Sequence, residues 1–415
     1  MYIKPIAPTK ISAYTATSAL GRGKAAMLAA VKEGLSGLRP LTADDCKYLS
    51  LTGHLATWVG CVEGLDAPLP ESWARWDCRN NRLAWLGLQA DGFLEAVADA
   101  RRRHGSDRVA VVMGTTTGSI GATESAYQAR TIDGHFPEHM HNAPLHTLHA
   151  LGAFVQEALA LDGPCFTLST ACSSSAKAFC SAERLLRVGV ADAVVVGGVD
   201  TLCGSTLFGF HALQLVSPDP CEPFGTQRRG LNLGEAAGFA LLEKGPGALQ
   251  LLGHGESSDA HHLSAPHPQG RGAEAALDGA LARAGLDADA VDFLHLHGTA
   301  TPLNDDVEAA LVNRRFGVRT HASSTKGMVG HTLGAAGMMG STFSLLAIET
   351  GLMPGTVHTR EVDPACGTLI RRQSAQGDVR VAATHAFGFG GSNCVLVWGR
   401  GEGGSQPLVQ APCSA

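Results

Sequence analysis

Short apolar runs of strand length alternate with segments of helical spacing along most of this chain. Residues 109–114 and 193–198 are almost wholly apolar and close on glycine, the pattern of strands buried on both faces. Between them, residues 165–169 predict a further strand and 172–188 a helix. The alternation then returns. Residues 249–253 and 291–298 predict strands flanking an Ala-rich helix at 273–284. Helices follow at 305–316 and, long and buried, at 334–350. Residues 380–384 and 393–398 predict paired strands around a Gly-rich turn. Such alternation implies α/β layers with helices on both sheet faces. The pattern occurs twice and breaks near residues 244–247, so two similar halves are expected, 1–245 and 246–400, although direct identity between them is too low to establish a repeat. Residues 115–152, rich in His, Thr and Gly, interrupt the first half as an inserted cap or interface segment. Residues 401–415 predict a disordered tail.

Composition narrows the class. With 415 residues, 45% hydrophobic and 17% charged, the chain can bury a deep core. A net charge of −6 leaves no electrostatic footprint for nucleic acid, and the basic run Arg101 to Arg103 reads as a solvated helix C-terminus. No window approaches the roughly 18 apolar residues of a membrane-spanning helix. The first ten residues hold no apolar stretch of a secretory leader. Eleven cysteines, an odd number without a CxxC pair, argue for reduced thiols and a cytoplasmic setting.

Four segments carry candidate chemistry. In Leu168-Ser-Thr-Ala-Cys172-Ser-Ser-Ser a cysteine stands where a strand ends and a helix begins, so the helix N-terminus is expected to favour the thiolate. His297-Gly-Thr-Ala-Thr-Pro-Leu-Asn-Asp-Asp places a histidine at a strand end. Ser323-Ser-Thr-Lys326-Gly-Met-Val-Gly-His331 places a lysine and a histidine at another. Phe387-Gly-Phe-Gly-Gly391-Ser-Asn393 is a turn whose N–H groups are free to donate. Taken singly, a buried cysteine, a core histidine or a hairpin turn is the commoner explanation. Four such pieces at strand ends of a duplicated α/β protein are not explained that way.

From about residue 13 to 399 the chain resembles the β-ketoacyl-acyl-carrier-protein synthases of the elongating type, within the thiolase superfamily, through its TACSS, HGTxTxxND, STKxxxGH and FGFGGSN motifs. The resemblance implies a thiolase fold, duplicated halves in a five-layer αβαβα sandwich, usually dimeric. It implies Cys172 as nucleophile, His297 and His331 as the decarboxylating pair, and Lys326 holding the network with Glu308 as its carboxylate and Asp305 in support. Phe389 would act as gate and, with the Cys172 N–H, as oxyanion hole. Thr299 and Thr301 would hold pantetheine amides. No bound cofactor is implied, because substrates arrive on the 4′-phosphopantetheine of an acyl carrier protein. The partner is expected to be a second copy, or a chain-length factor in a heterodimer.

Alternatives within the superfamily fit less well. A thiolase needs a late catalytic cysteine, an initiating synthase has asparagine in place of His331, and a non-catalytic chain-length factor lacks the nucleophile. A cysteine hydrolase does not need two oxyanion-directed imidazoles. The histidines at 135, 139, 141, 146 and 149 are read as a polar interface segment rather than a zinc site, and His261 and His262 as loop residues near the pantetheine entrance. The chain departs from the ordinary pattern between Glu222 and Glu235 and at Thr117, which is expected to make the acyl channel more polar. These departures suggest a specialised branch building polyene or aryl-polyene chains. Arg228 and Arg229 are the candidates for carrier docking. A cation site common in the family is expected to be lost, since its positions read His295, Gly340, Thr384 and His385. The two histidines are expected close together, neutral, and satisfied by backbone or water.

Overall fold

The computed structural model describes residues 3–49, 51 and 53–401, so the expected tail lies outside the described residues apart from Gly401. Two mixed sheets carry the fold. Leaving aside a two-residue edge strand, the first is ordered Thr9–Ser18, Ala236–Lys244, Ala193–Asp200, Val109–Gly114, Cys165–Leu168. The second is ordered Leu249–Ser258, Ser392–Arg400, Val381–Gly388, Phe293–His295, His321–Ser323. Numbered by position within each half, both sheets run 1-5-4-2-3. Strand 5 is antiparallel to 1 and 4, and strand 2 is parallel to 3 and 4. Both first strands also shift register after their third residue, at Ile11 and at Leu251. The duplication that sequence identity left open is therefore written in topology.

Helices Ser174–Arg187 and Ala336–Thr350 lie between the sheets and pack against strands of both. Helices Arg79–Leu88, Phe93–His104 and Ala150–Ala158 cover the outside of the first sheet, and Arg271–Ala284 and Pro302–Arg315 cover the second. This is the five-layer sandwich. Helix Ala336–Thr350 is buried from Gly337 to Ile348 around its whole circumference, as a helix between two sheets must be. Its Ser341 and Thr342 hydroxyls donate to carbonyls one turn back, which removes the desolvation cost of two buried hydroxyls. The site is set by close approach around the other central helix. A Cβ on Gly114 would lie 2.4 Å from Ser175 N, and one on Gly337 2.6 Å from Ala176 N.

Several boundaries differ from the expected ones for physical reasons. The helix predicted from residue 172 begins at Ser174, because Ala171 takes a left-handed φ of 52° and Cys172 stays in the turn. The strand predicted over 291–298 is cut to Phe293–His295, and Gly298 and Ala300 after it both have positive φ. The helix expected at 305 starts at Pro302, which is pre-set for a first helical turn. Residues 115–152 hold a helix, Ile120–Gln128, a 3-10 turn, Glu138–Met140, and the start of helix Ala150–Ala158. The three arginines at 101–103 do end a helix. Arg103, however, is ion-paired to Glu243 at 2.5 Å rather than only solvated.

Gly114→Ala should shift the start of helix Ser174–Arg187, because the 2.4 Å contact is with backbone. We expect a loss of about 1–3 kcal/mol of stability together with slower alkylation of Cys172. Denaturant unfolding and iodoacetamide kinetics check both, and unchanged values in both would show that the approach does not hold the helix.

Candidate active site

Cys172 lies between strand Cys165–Leu168 and helix Ser174–Arg187, and is 4% exposed. The turn that holds it is tied locally. The Thr170 N–H donates to Ser174 Oγ at 2.8 Å, and Ser174 Oγ–H donates to the Ala171 carbonyl at 2.6 Å. His297 follows strand Phe293–His295 in a turn clamped by Glu308, whose two carboxylate oxygens accept the N–H groups of His297 (2.8 Å) and Gly298 (2.7 Å). Helix Lys326–Val329 precedes His331, whose N–H donates to the Asn232 carbonyl at 2.7 Å. The Cys172 sulfur and a ring nitrogen each of His297 and His331 all lie within 4.8 Å of one another.

The tautomer of His331 follows from its neighbours. The Leu333 N–H points at Nδ1 (3.1 Å), so Nδ1 accepts and the proton of the neutral ring sits on Nε2. Nε2 lies 3.0 Å from Cys172 Sγ. The Phe389 N–H is also bonded to that sulfur. Two donors therefore converge where the sulfur sits. Residues in the left-handed region stand beside three of the four segments: Ala171, Ala300 and Leu333, with φ of 52°, 62° and 53°. Each costs on the order of 1–2 kcal/mol for a side chain with a Cβ. Such strain persists only where the surroundings impose it.

Burial decides the electrostatics. His297 and His331 are held well below the ordinary imidazole range, first by desolvation and then by the Lys326 charge. Both rings are neutral donors near neutral pH. The Cys172 thiol is pushed up to about 11, because burial outweighs the pull of Lys326 and of the Phe389 N–H. This corrects the expectation of a thiolate favoured by the helix N-terminus: desolvation is the larger effect. Lys326 itself is buried and its pKa is lowered by that burial.

A cavity of about 290 Å³ opens over the cluster, lined by Cys172, His297, His331, Thr299, Thr301 and Phe389, among others. The hydroxyls of Thr299 and Thr301 lie 2.7 Å apart. The Phe389 ring stacks on Phe210, 5.4 Å between centroids. The loop of His261 and His262 reaches this mouth. His262 Nδ1 accepts from the N–H groups of Ser264 and Ala265, and those two residues line the cavity.

Other expectations are corrected. Lys326 Nζ donates to the His297 carbonyl rather than pairing with Glu308. Glu308 is occupied by two backbone N–H groups and by His385 Nδ1 at 2.9 Å, and acts on Lys326 only through its field. Asp305 accepts from the Phe224 N–H at 2.7 Å and braces the segment after Glu222. Its burial raises its pKa to about 7. The Thr117 hydroxyl is engaged by Asp200 at 2.7 Å. Arg228 is unsuited to carrier docking: its side chain is 8% exposed and paired to Asp306 and Asp363. Arg229 is exposed and paired to Asp219.

His295 and His385 are partnered by side chains rather than by backbone or water. His295 Nε2 meets Thr325 Oγ1 at 2.9 Å and its ring stacks on Phe343, while His385 meets Glu308. Burial lowers His295 to about 3, with the Lys326 charge and then the neighbouring His385 adding to it. Gly340 belongs to the same arrangement, because a Cβ there would come within 2.7 Å of His295 Nδ1. In the insertion, His146 bonds Thr123 and His149 bonds Thr167.

Two residues escaped the sequence reading. Asp200 accepts from the N–H groups of Thr116, Thr117 and Gly334 and the hydroxyl of Thr115, tying the first sheet to the loop that follows His331. A carboxylate closing an otherwise apolar strand was the available signal. Phe210 gave none, being one of two phenylalanines in a largely apolar helix, Gly204–Ala212.

The sequence matches the β-ketoacyl synthase N-terminal domain over residues 11–248 and the β-ketoacyl synthase C-terminal domain over residues 249–360. The chain belongs to the β-ketoacyl synthase family. Among curated relatives it is 36% identical to nodulation protein E of Rhizobium meliloti, covering 70% of this chain and 75% of that one. It is 31% identical to 3-oxoacyl-[acyl-carrier-protein] synthase 2 of Staphylococcus aureus, covering 74% and 80%. Among solved structures it is similar to a chain of the ketosynthase (ApeO) in complex with its chain length factor (ApeC) from Xenorhabdus doucetiae. The TM-score is 0.84 and the identity 36%, over 95% of this chain and 98% of that one. These findings bear out the thiolase-type fold and the condensing-enzyme class. No helix among the described residues is long and apolar enough to cross a membrane.

Removing the buried cation has a signed consequence in this synthase. Lys326→Met should let His297 and His331 protonate at higher pH, and a protonated His331 Nδ1 would face the Leu333 N–H. Malonyl decarboxylation in the unaltered protein should hold level through the ordinary imidazole range, about pH 6.5. In Lys326→Met the acidic limb should lie at higher pH than in the unaltered protein, and Cys172 should alkylate more slowly at fixed pH. Identical pH profiles for the two proteins would remove Lys326 from this role.

Proposed function

We propose that this synthase joins an acyl group, held as a thioester on Cys172, to a malonyl group on an acyl carrier protein, giving a 3-oxoacyl carrier and CO₂. The observation that carries the reading is the convergence of Cys172, His297 and His331 within 4.8 Å at the floor of one cavity. The Cys172 sulfur attacks the acyl thioester, a new carbon–sulfur bond forms, and the carrier thiol leaves with the proton. Malonyl thioester then occupies the cavity with its carbonyl oxygen toward His297 and His331. As the bond to the carboxylate breaks, the electron pair moves into the enolate. Its oxygen is met by neutral imidazole donors, worth roughly 3–4 kcal/mol each if they act like other oxyanion donors. The enolate carbon attacks the acyl carbonyl. The oxyanion is received by the N–H groups of Cys172 and Phe389, and its collapse expels the Cys172 sulfur, which takes up a proton from solvent to return to the thiol.

Thr299 and Thr301, side by side at the cavity wall, suit the pantetheine amides. Phe389, stacked on Phe210, suits a gate between the acyl channel and the malonyl position. The pathway reading is a specialised chain builder of the polyene or aryl-polyene kind. It is supported by the altered segment after Glu222 and by the likeness to a ketosynthase that has a chain length factor. Dimerisation is supported by strand Cys165–Leu168, which ends the first sheet with Phe166 47% exposed, and by exposed Tyr127 and Ile132 in the insertion. A second copy, or a chain-length factor, would add there. Free thiols at the ten described cysteines agree with a cytoplasmic setting.

Cys172→Ala should abolish acyl transfer from a labelled carrier while preserving the fold. Cys172→Gln should retain malonyl decarboxylation, since both histidines remain. His297→Ala or His331→Ala should slow decarboxylation by about 10²–10³-fold and impair acylation of Cys172 less. Condensation surviving in Cys172→Ala would defeat the mechanism, as would equal loss of both steps in both histidine variants.

A further inference from the structure

One buried imidazole beside the catalytic centre has no assigned part in the condensation. His385 stands on strand Val381–Gly388, which runs on to Phe389, and its side chain is wholly buried. It does not line the catalytic cavity, so it does not touch substrate. Its Nδ1 lies 2.9 Å from Glu308 Oε1, the oxygen that also accepts the His297 N–H at 2.8 Å. The other carboxylate oxygen accepts the Gly298 N–H at 2.7 Å. A carboxylate oxygen only accepts, so Nδ1 carries the ring proton and donates it. Nε2 finds no hydrogen-bond partner among the described residues, which leaves Glu308 as the ring's polar contact. Packing adds a second link. His385 and Phe387, two apart on the strand, share a face. Their ring centroids are 4.9 Å apart, and the Phe387 ring lies 5.9 Å from that of His297.

We propose that His385 is a positioning residue for His297: through Glu308 it fixes the turn that aims the His297 ring at the malonyl carbonyl. Its effect on catalysis presupposes the condensing mechanism proposed above. Glu308 is 1% exposed, and a carboxylate so buried keeps its place only while its oxygens are met by donors. Helix Pro302–Arg315 fixes the Glu308 backbone but not the carboxylate head. The two backbone N–H groups on that head belong to the turn itself and move with it. Asn304 reaches it only at 3.5 Å. His385 is the donor that comes from a rigid frame, because its strand is paired to Phe293–His295 on one side and to Ser392–Arg400 on the other. Lys326 holds the same turn from its other side, by donating to the His297 carbonyl. Loss of the His385 N–H would therefore loosen the turn without releasing it. The consequence is confined to one step. His297 serves the enolate oxygen, whereas the oxyanion formed on the acyl group meets the N–H groups of Cys172 and Phe389.

The test compares two substitutions in the full-length protein. His385→Phe keeps a ring of similar size and loses the donor. His385→Asn loses the ring and places an amide N–H near the Nδ1 position. CO₂ release from malonyl-pantetheine and transfer of a labelled acyl group from acyl-pantetheine to Cys172 are followed separately. His385→Phe should slow CO₂ release by about 10- to 100-fold, the cost of displacing an oriented group by roughly 1 Å, and leave acylation near the unaltered rate. His385→Asn should recover most of the CO₂ release. Should His385→Phe fail to fold, His385→Gln, whose amide lies one methylene beyond the Nδ1 position, takes its place in the comparison. A purely structural role predicts the reverse order, since the larger loss of packing is in His385→Asn. The proposal is overturned if His385→Phe releases CO₂ at the unaltered rate, or if His385→Asn is no better than His385→Phe. Equal loss of CO₂ release and acylation overturns it as well. Absence of CO₂ release from the unaltered protein, or its survival in His297→Ala, instead defeats the condensing mechanism and the role of His385 with it.

Discussion

Desolvation at the centre of the molecule governs the rest of the structure. Lys326, Cys172, His297 and His331 are all buried together, at 5% exposure or less. In that setting a charge without hydrogen bonds costs several kcal/mol, so each group is driven neutral or must be met by donors and acceptors. The histidines become neutral, and that makes them useful, since a neutral ring with a fixed tautomer can aim a single N–H. The thiol is pushed up, and the donors gathered on it, His331 Nε2 and the Phe389 N–H, partly offset the loss of water. Burial does most to keep both rings neutral, and the Lys326 charge adds to it.

A centre this deeply buried needs its donors fixed by backbone rather than by mobile side chains, because a misplaced donor would leave a buried polar group unmet. Glu308 shows how this is arranged. Its carboxylate accepts the N–H groups of His297 and Gly298 and so fixes the turn from which His297 projects. Asp200 does the same for the loop beyond His331 through Gly334, and reaches it from the other half of the molecule. A carboxylate accepting several N–H groups is well solvated by protein, which explains how two buried acids are tolerated so near the histidines.

The repeated 1-5-4-2-3 sheets explain why these residues meet although they are far apart in sequence. Each half delivers its chain to the same end of its sheet, and the two central helices begin there. Cys172 enters from the first half, and His297, His331 and Phe389 from the second. How much of this was legible depended on whether the signal was local. Residues 109–114 and 193–198 were readable as strands because burial on both faces leaves an unbroken apolar run. The third strand of the second sheet, His321–Ser323, was legible only through the Lys- and His-bearing segment at its end, because it is three residues long and mostly polar. The catalytic segments were readable because they concentrate Cys, His and Lys at strand ends with small neighbours. Asp200 and Phe210 were missed because their roles are defined by partners about a hundred residues away or more. The expected Lys326–Glu308 pair failed for a related reason. Sequence shows that a buried lysine needs an acceptor, but not that a backbone carbonyl is nearer than the carboxylate.

The left-handed residues bear on how the site is maintained. Ala171, Ala300 and Leu333 are not glycines, so each adopts its backbone conformation against a steric penalty that folding elsewhere must offset. Glycine would remove the penalty but would also widen the range of conformations open to the turn. A side chain at these positions closes the neighbouring regions of φ, ψ space once the turn is formed. Ala300, fully buried, belongs to a small apolar cluster with Leu38 and Cys221. Leu333 packs into the apolar cluster around Leu202, Leu207 and Leu231. Through that packing the Leu333 N–H is held on His331 Nδ1, and with it the proton on Nε2. The tautomer on which the proposed enolate stabilisation relies is thus set by a leucine side chain several bonds removed from any reacting atom.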